Sequence, residues 1–241
     1  MNARPTGRID VHSHLLPGID DGCQSIEDSV ACAKRLVEAG YSHSFCTPHI
    51  WPSLPNNKID RIIERVRRTQ ELFDQAKVPL KLFPGGEMSL RPDFTEAPRE
   101  MLVSYGMAGK HCLVDLWAEK LPPFFETSVR WLQSKGLTVI LAHPERMRAV
   151  QEDPSLADRF AKLGILLQGN LQCFGDPPHA ATRQVAERFL SEGRYFMLGS
   201  DLHNLATLPL RMNGLSRVIE MAGDAASLIL TRDHPWTLVP A

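Results

Sequence analysis

The sequence lacks the features that mark secreted, membrane-spanning and nucleic-acid-binding proteins. Its five cysteines are odd in number and form no C-x-x-C pair, which argues against a disulfide framework and a structural zinc site. No apolar run approaches the roughly 18 residues of a membrane span, and residues 1–8 hold no apolar segment typical of a signal peptide. The 27 basic and 28 acidic residues nearly balance, so no basic excess indicates a nucleic acid or an anionic membrane. We therefore expect a cytoplasmic protein that neither inserts directly into a membrane nor binds nucleic acid.

Short apolar segments alternate with amphipathic ones along the chain. The apolar segments predict strands at 8–11, 42–46, 80–83, 112–116, 137–141, 165–167 and 195–198. The amphipathic segments predict a helix that follows Ser25, forms a capping box with Asp28 and ends at Gly40, and further helices at 57–75, 124–133, 156–163, 180–190 and 208–221. Strands that alternate with helices form βαβ units and a parallel sheet, and about seven units favour a closed or nearly closed barrel. No linker or repeat divides the chain, so we expect residues 1–241 to form one α/β domain.

Imidazoles and carboxylates follow the ends of successive predicted strands. These side chains are His12, His14, His49, Glu87, Asp115, His143, Asp201 and His203. In a parallel α/β barrel the carboxyl ends of all strands meet at one face, where active sites are built. Neutral imidazoles and carboxylates without thiolates are the ligand set for Zn, Mn, Fe or Co. The set exceeds the needs of one ion, so it predicts two or three ions, a cluster that activates water for attack on phosphorus.

Several nearby residues leave two interpretations open. Asp20-Asp21-Gly22 alone would predict a turn, but its place after His14 favours Asp21 as a ligand, with Asp20 as the alternative. Arg146 follows His143 and can bind a phosphate with two parallel hydrogen bonds, whereas a surface ion pair with Glu145 is the alternative. The histidines outside the pattern are interpreted as surface or packing residues: His43, His111, His179 and His234.

These motifs resemble the polymerase-and-histidinol-phosphatase (PHP) superfamily. More narrowly, they are similar to its bacterial tyrosine-protein phosphatases of the CpsB/YwqE type, which are encoded with capsule and exopolysaccharide genes. The resemblance is carried by segment 10–22 (DVHSHLLPGIDDG), Thr47-Pro48-His49, Gly86-Glu87, segment 142–146 (AHPER) and segment 200–204 (SDLHN). It therefore spans most of the chain, and the first motif, with its double Asp followed by Gly, is specific for this branch.

The resemblance implies a distorted (β/α)7 TIM-like barrel of the PHP type that holds a trinuclear centre, usually written with manganese. Mg, Fe, Co or Zn stay open as alternatives. The implied ligand sets are His12, His14, Glu87 and Asp201 for one ion; Glu87, Asp115 and His143 for a second; Asp21, His49 and His203 for a third. The implied reaction is the hydrolysis of phosphotyrosine on a protein, typically a bacterial tyrosine kinase that regulates polysaccharide synthesis, by a metal-activated hydroxide. We expect Arg146, Asp201 and His203 to be the catalytic residues.

Two positions depart from the family pattern. The family usually has Glu where this chain has Asp115, which is one methylene shorter. The family also has a second phosphate-binding arginine where Leu208 stands, and Arg211 is the residue that we expect to replace it in binding the substrate.

These departures keep two alternatives open: a phosphatase of a small monoester such as histidinol phosphate, and a catalytically silent regulatory or binding protein. An amidohydrolase is disfavoured, because it would normally end on a lone Asp rather than on Asp201-x-His203. A homo-oligomer also stays open.

Overall fold

The computed structural model describes residues 5–240, and its strands are short and parallel. They are β1 (Arg8–Ser13), β2 (Tyr41–Cys46), β3 (His49–Ile50), β4 (Lys81–Pro84), β5 (Glu87–Ser89), β6 (His111–Asp115), β7 (Thr138–Ala142), β8 (Leu166–Asn170) and β9 (Tyr195–Gly199). One sheet has the order β1–β2–β4, and the other has the order β3–β5–β6–β7–β8–β9. All neighbouring pairs are parallel, as the alternation of strands and helices predicts.

Two interruptions divide what would otherwise be longer strands. Thr47 and Pro48 separate β2 from β3, and proline has no backbone N–H with which to continue a ladder. Gly85 and Gly86 separate β4 from β5, where a Cβ at Gly86 would lie only 2.9 Å from Cγ1 of Val103. Each broken pair occupies one position of the barrel, so the nine strands fill the seven positions that the sequence predicts.

Backbone hydrogen bonds also join the first strand to the last. The Asp201 amide donates to the His12 carbonyl at 2.7 Å, and the His14 amide donates to the Leu202 carbonyl at 2.9 Å. The two sheets therefore continue into each other around a distorted α/β barrel. This contact also brings the motif after β1 directly beside the motif after β9.

Within residues 5–240, seven helices lie between the strands along the chain and two follow the last strand. They are α1 (Ile26–Glu38), α2 (Ile59–Gln75), α3 (Phe124–Ser134), α4 (Arg148–Glu152), α5 (Leu156–Lys162), α6 (Leu171–Gly175), α7 (Ala181–Ser191), α8 (Leu208–Leu228) and α9 (His234–Trp236), with a π-helical turn over Ile229–Asp233. The capping box is confirmed, because Ser25 Oγ accepts from the Asp28 amide at 3.1 Å and the Asp28 carboxylate accepts from the Ser25 amide at 3.2 Å. The predicted end of the last long helix at 221 lies next to Gly223 (φ 83°, ψ 162°), whose non-helical backbone interrupts α8, and a second helical stretch then continues to Leu228.

Alternate residues of the strands point into and out of the barrel. Ile9, Val11, Leu113 and Ile140 belong to an interior cluster that also contains Phe45. The intervening residues pack outward against the helices in a larger core. This arrangement is the period of two expected for strands of a barrel. In the part of the chain that the structure describes, no helix combines the length and the apolar character needed to cross a membrane.

Candidate metal centre

His12 and His14 are held with their Nε2 atoms facing each other at 3.3 Å. Both residues project from the same side of the first strand, because they are two positions apart. Their outer nitrogens already have partners: His12 Nδ1 donates to Gln168 Oε1 and His14 Nδ1 donates to Asp20 Oδ2, each at 2.8 Å. An acceptor on Nδ1 leaves the Nε2 lone pair free for a metal ion. Both imidazoles are buried, so their orientation is fixed by the protein.

Two carboxylates face this pair of imidazoles. Glu87 Oε2 lies 3.4 Å from His12 Nε2, and Asp201 Oδ1 lies 3.5 Å from His12 Nε2 and 3.4 Å from His14 Nε2. Burial alone would raise the pKa of Glu87 and Asp201, but the neighbouring imidazoles outweigh burial and hold both pKa values below their usual range. The structure thus brings together the four residues of the first expected ligand set.

A second group opens to solvent. Asp21 Oδ1 lies 3.2 Å from His49 Nε2 and 3.4 Å from His203 Nε2, and the ring of His203 stacks on that of His14 at 3.9 Å. Ligand atoms of His14, Asp21, His49 and His203 all lie within 4.8 Å of one another. The Asp21 side chain is 62% exposed, so this group forms the outer edge of the centre.

The two adjacent aspartates have different positions. Asp20 is buried behind the imidazoles, where its carboxylate accepts from His14 and from the amides of Gly22 and His49 at 3.0 Å. Although burial opposes ionisation, the charge and hydrogen bond of His14 lower the pKa of Asp20 to about 2. Only the Asp21 carboxylate faces the ligand atoms, which is the preferred of the two interpretations of the double Asp.

The third group contains buried oxygen atoms that the protein does not satisfy. His143 Nε2 lies 2.8 Å from Glu87 Oε1. Asp115 Oδ2 accepts from Trp117 Nε1, whereas Asp115 Oδ1 has no hydrogen-bond partner. Burial and the charge of Glu87 raise the pKa of Asp115 well above its usual range. Glu87 Oε2 also has no hydrogen-bond partner: it is 2.8 Å from His49 Nδ1, but the angles do not suit a hydrogen bond.

Buried carboxylate oxygens without a partner are costly unless a cation neutralises them. The donors around them are imidazole nitrogens and carboxylate oxygens, which suit divalent Mn, Zn, Fe or Co. The residues present therefore fit a centre of several divalent ions. The unpartnered Oδ1 of Asp115 is one of these buried oxygens.

Arg146 lies at the rim of the centre. Its Nη1 donates to Asp201 Oδ2 at 2.8 Å, its guanidinium lies 5.5 Å from the centre of the Trp117 ring, and its side chain is 36% exposed. Within residues 5–240, Arg146 does not form the alternative ion pair with Glu145. The Glu145 carboxylate is buried and accepts instead from the Asn170 amide and the Tyr195 hydroxyl. Arg146 is thus paired with Asp201 rather than with Glu145, and its side chain is partly exposed to solvent.

The expectation that Arg211 binds the substrate requires a correction. Arg211 is buried, and its guanidinium donates to the carbonyls of Ser200 at 2.7 Å, Asp201 and Thr207 at 3.1 Å. These bonds fix the loop that carries Asp201 and leave Arg211 directed at the backbone rather than at a phosphate. Leu208, the residue at the family's arginine position, is also buried.

Two candidate ligands have a strained backbone. His143 has a φ of 33° and Asp201 has a φ of 52°. These values lie in the left-handed region, which residues other than glycine rarely adopt. Such residues are concentrated at functional sites, where the surrounding structure maintains the strain. Here the Arg211 hydrogen bonds are part of that surrounding structure.

Sequence reasoning missed several supporting residues. Gln168 and Asn170 end β8 and contact His12 and Asp201, the latter through Asn170 Nδ2 at 2.8 Å. Polar residues at the end of an otherwise apolar strand were the signal that could have revealed them. Trp117 gave no such signal. The histidines set aside from the pattern indeed lie away from the cluster: His43, His111, His179 and His234.

The comparisons with known proteins agree with this geometry. The model of a family described as "Capsular polysaccharide synthesis, CpsB/CapC" matches residues 8–238. The chain is 29% identical over 205 residues to the tyrosine-protein phosphatase YwqE of Bacillus subtilis (strain 168), covering 83% of this chain and 78% of that protein. It is 23% identical over 207 residues to the tyrosine-protein phosphatase CpsB of Streptococcus agalactiae serotype V, covering 83% and 85%.

A solved structure extends the similarity to three dimensions. It is one of the crystal structures of YwqE from Bacillus subtilis and CpsB from Streptococcus pneumoniae, described as unique metal-dependent tyrosine phosphatases. The match has a TM-score of 0.85 and 25% identity, and it covers 95% of this chain and 94% of that chain. The resemblance inferred from the motifs and the expected fold class are thereby confirmed.

Proposed function

Because the chain belongs to the CpsB/CapC family of capsular polysaccharide synthesis, we propose that it is a metal-dependent protein-tyrosine phosphatase. The observation that carries this proposal is the buried cluster of imidazoles and carboxylates with Arg146 at its open edge. The relatives named tyrosine-protein phosphatases support the same activity.

Three sets of residues would hold the ions, for which manganese is the proposed metal. The sets are His12, His14, Glu87 and Asp201; Glu87, Asp115 and His143; Asp21, His49 and His203. Divalent ions held there would lower the pKa of bound water and neutralise the oxygens of a phosphoryl group. Glu87 contacts residues of all three sets, so we assign it the role of the shared ligand.

The protein residues around the centre bind and orient. Arg146 presents a planar guanidinium that can form two parallel hydrogen bonds to phosphoryl oxygens, and Asp201 holds it at the rim of the centre. Asp20 and Gln168 keep the His14 and His12 imidazoles in their ligand tautomers. The phenol of tyrosine has a pKa near 10, so the leaving group needs less help from a proton donor than an aliphatic alcohol does.

The proposed substrate is phosphotyrosine on a protein, and a bacterial tyrosine kinase that regulates polysaccharide synthesis is the proposed partner. The exposed Asp21 carboxylate and the partly exposed Arg146 show that the centre opens to the surface. An open centre admits a phosphorylated side chain on a polypeptide.

The test is phosphate release from a phosphotyrosine peptide and from histidinol phosphate, each with manganese and with a chelator. We expect manganese-dependent turnover of the peptide at a higher kcat/KM than that of histidinol phosphate. Turnover of histidinol phosphate alone would assign a small monoester as the substrate. Turnover of neither compound, with manganese bound, would favour a silent regulatory protein.

A further inference from the structure

Trp117 has the largest exposed fraction of any large apolar side chain among residues 5–240, at 66%. It lies two residues after Asp115, at the carboxyl end of β6, beside the metal centre. Its Nε1 donates to Asp115 Oδ2, and the Arg146 guanidinium lies against its ring at 5.5 Å. Tryptophan is usually mostly buried, so an exposed indole in contact with two site residues calls for a functional explanation.

A pocket opens on the exposed side of these contacts. Its volume is about 370 Å³, and the residues that line it are Leu116, Trp117, Ala118, Glu119, Arg146, Met147 and Arg148. The walls thus combine apolar and aromatic side chains with the guanidinium groups of Arg146 and Arg148 and the carboxylate of Glu119. The pocket is continuous with the metal centre through Arg146, which also donates to Asp201.

We propose that this pocket is the subsite for the leaving group, and that Trp117 is the residue that selects aryl phosphates over alkyl phosphates. This inference rests on the proposed phosphatase function. Arg146 connects the two parts, because its guanidinium donates to Asp201 in the metal centre and also lies against the Trp117 ring in the pocket. Aromatic rings attract each other in offset or edge-to-face pairs with centres about 4.5–7 Å apart, and a short aliphatic side chain gains no such contact.

The indole has two chemically separable roles. Its ring provides the surface for an aryl group, whereas its N–H fixes one oxygen of the Asp115 carboxylate and leaves the other without a hydrogen-bond partner. A phenyl side chain at position 117 keeps the first role and loses the second. An aliphatic side chain loses both.

Trp51, the other tryptophan near the centre, does not fit this role. Its ring stacks on the His49 imidazole at 3.9 Å, so that face is already occupied. Its Nε1 is buried without a partner. Trp117 is therefore the aromatic side chain that an incoming substrate can reach.

The first experiment compares two peptides of identical sequence that carry phosphotyrosine or phosphoserine. The quantity measured is the ratio of the two kcat/KM values, which cancels changes in folding or metal content. We expect Trp117→Leu to lower the ratio about tenfold, equivalent to about 1.4 kcal/mol. Trp117→Phe should lower both kcat/KM values by one common factor and keep the ratio.

The matched control is Ile229→Ala, which truncates another exposed apolar residue outside the site (42% exposed) and should change neither value. An unchanged ratio in Trp117→Leu would overturn the proposed subsite.

The second experiment measures binding without turnover. Calorimetry and tryptophan fluorescence compare phenylphosphonate with methylphosphonate on the manganese-loaded protein. We expect the wild type and Trp117→Phe to bind phenylphosphonate about tenfold more tightly, and Trp117→Leu to lose this preference. Equal affinities in the wild type would overturn the subsite even if the protein hydrolyses phosphotyrosine. A preference for phenylphosphonate that depends on Trp117 would support the subsite even if no phosphate ester is hydrolysed.

Discussion

The two ends of the barrel use the same residue type for different purposes. At the carboxyl ends of the strands, His12 and His14 are buried and face carboxylates. Toward the amino ends, His43 contacts the Ser42 hydroxyl at 2.8 Å and stacks on Phe83, and no carboxylate contributes to its titration. The two groups therefore differ both in burial and in the carboxylates that face them.

The pKa values express this difference. Burial lowers the pKa of every one of these imidazoles, but the charges of Glu87 and Asp20 outweigh burial at His12 and His14 and raise their pKa values. At His43, burial acts together with the charge of Lys81, and the pKa is lowered. The carboxylates that face His12 and His14 thus favour a charged imidazole, whereas burial and the Lys81 charge disfavour one at His43. At the same carboxyl ends, burial lowers the pKa of His143 and of His203.

The largest effect should come from replacing one imidazole at each end. His14→Ala should lower kcat/KM more than about 100-fold and reduce the bound manganese, because His14 faces ligand atoms of two groups. His43→Phe should leave both quantities unchanged. Steady-state kinetics and elemental analysis of the purified proteins measure these effects. Full metal content in His14→Ala would contradict the proposal that the metal centre lies at the carboxyl ends of the strands.

A smaller effect should follow when the residues that orient the ligands are changed. Asp20→Asn keeps the shape of the side chain but removes the charge that stabilises His14, so manganese should bind about 10- to 100-fold more weakly. Calorimetric titration with manganese measures this affinity. Asp60→Asn, on the exposed side of α2, is the control. Equal affinity in Asp20→Asn and the wild type would mean that the backbone alone orients His14.

Asp115 offers a test of stability against binding. An amide at this position can accept from Trp117 and donate toward Glu87, so Asp115→Asn should stabilise the chelator-treated protein by about 1–3 kcal/mol. The same variant should gain less stability from manganese than the wild type does. Thermal unfolding with chelator and with manganese gives both values. A less stable chelator-treated variant would show that the buried charge is already compensated by the protein.

The smallest expected effect is a change in the pH dependence of stability, caused by His43 toward the amino ends of the strands. Because the pKa of His43 is lowered in the folded state, the unfolded chain binds more protons below pH 6.5, and this contribution to stability falls as the pH drops. His43→Phe keeps an aromatic ring against Phe83 and cannot titrate. Its free energy of unfolding should therefore decrease less than that of the wild type between pH 7.5 and 5.5, as urea unfolding would show. Parallel curves would assign the acid sensitivity elsewhere.

The sequence predicted the seven barrel positions because apolar strands and amphipathic helices differ in period. It did not predict the breaks at Thr47-Pro48 and Gly85-Gly86, which depend on how neighbouring strands meet in space. It also missed the extension of α8 beyond Gly223. Gly223 does interrupt the helix, as a glycine with positive φ often does, but helical structure then resumes and leads into a π-helical turn.

The cluster of ligand-type residues was predictable because strand ends converge, whereas side-chain direction was not. Spacing could favour Asp21 over Asp20, but only the fold shows that Asp20 supports His14 from behind. Arg211 carries the right charge for a phosphate, yet its guanidinium faces carbonyl groups. Trp117 follows an apolar strand, and a tryptophan at such a position is ordinarily expected to be buried in the core.

The left-handed backbone at His143 and Asp201 also restricts which substitutions these positions can accept. Histidine, aspartate and asparagine are the residues other than glycine that tolerate this conformation best, and two of them are common metal ligands. A replacement ligand at these positions must therefore meet two requirements: it must coordinate the metal ion, and it must tolerate the left-handed backbone. Variants with glutamate or cysteine at position 143 or 201 should fold poorly, although both residues coordinate metals well elsewhere. Attempts to alter the metal preference should therefore begin at Asp21 or His49.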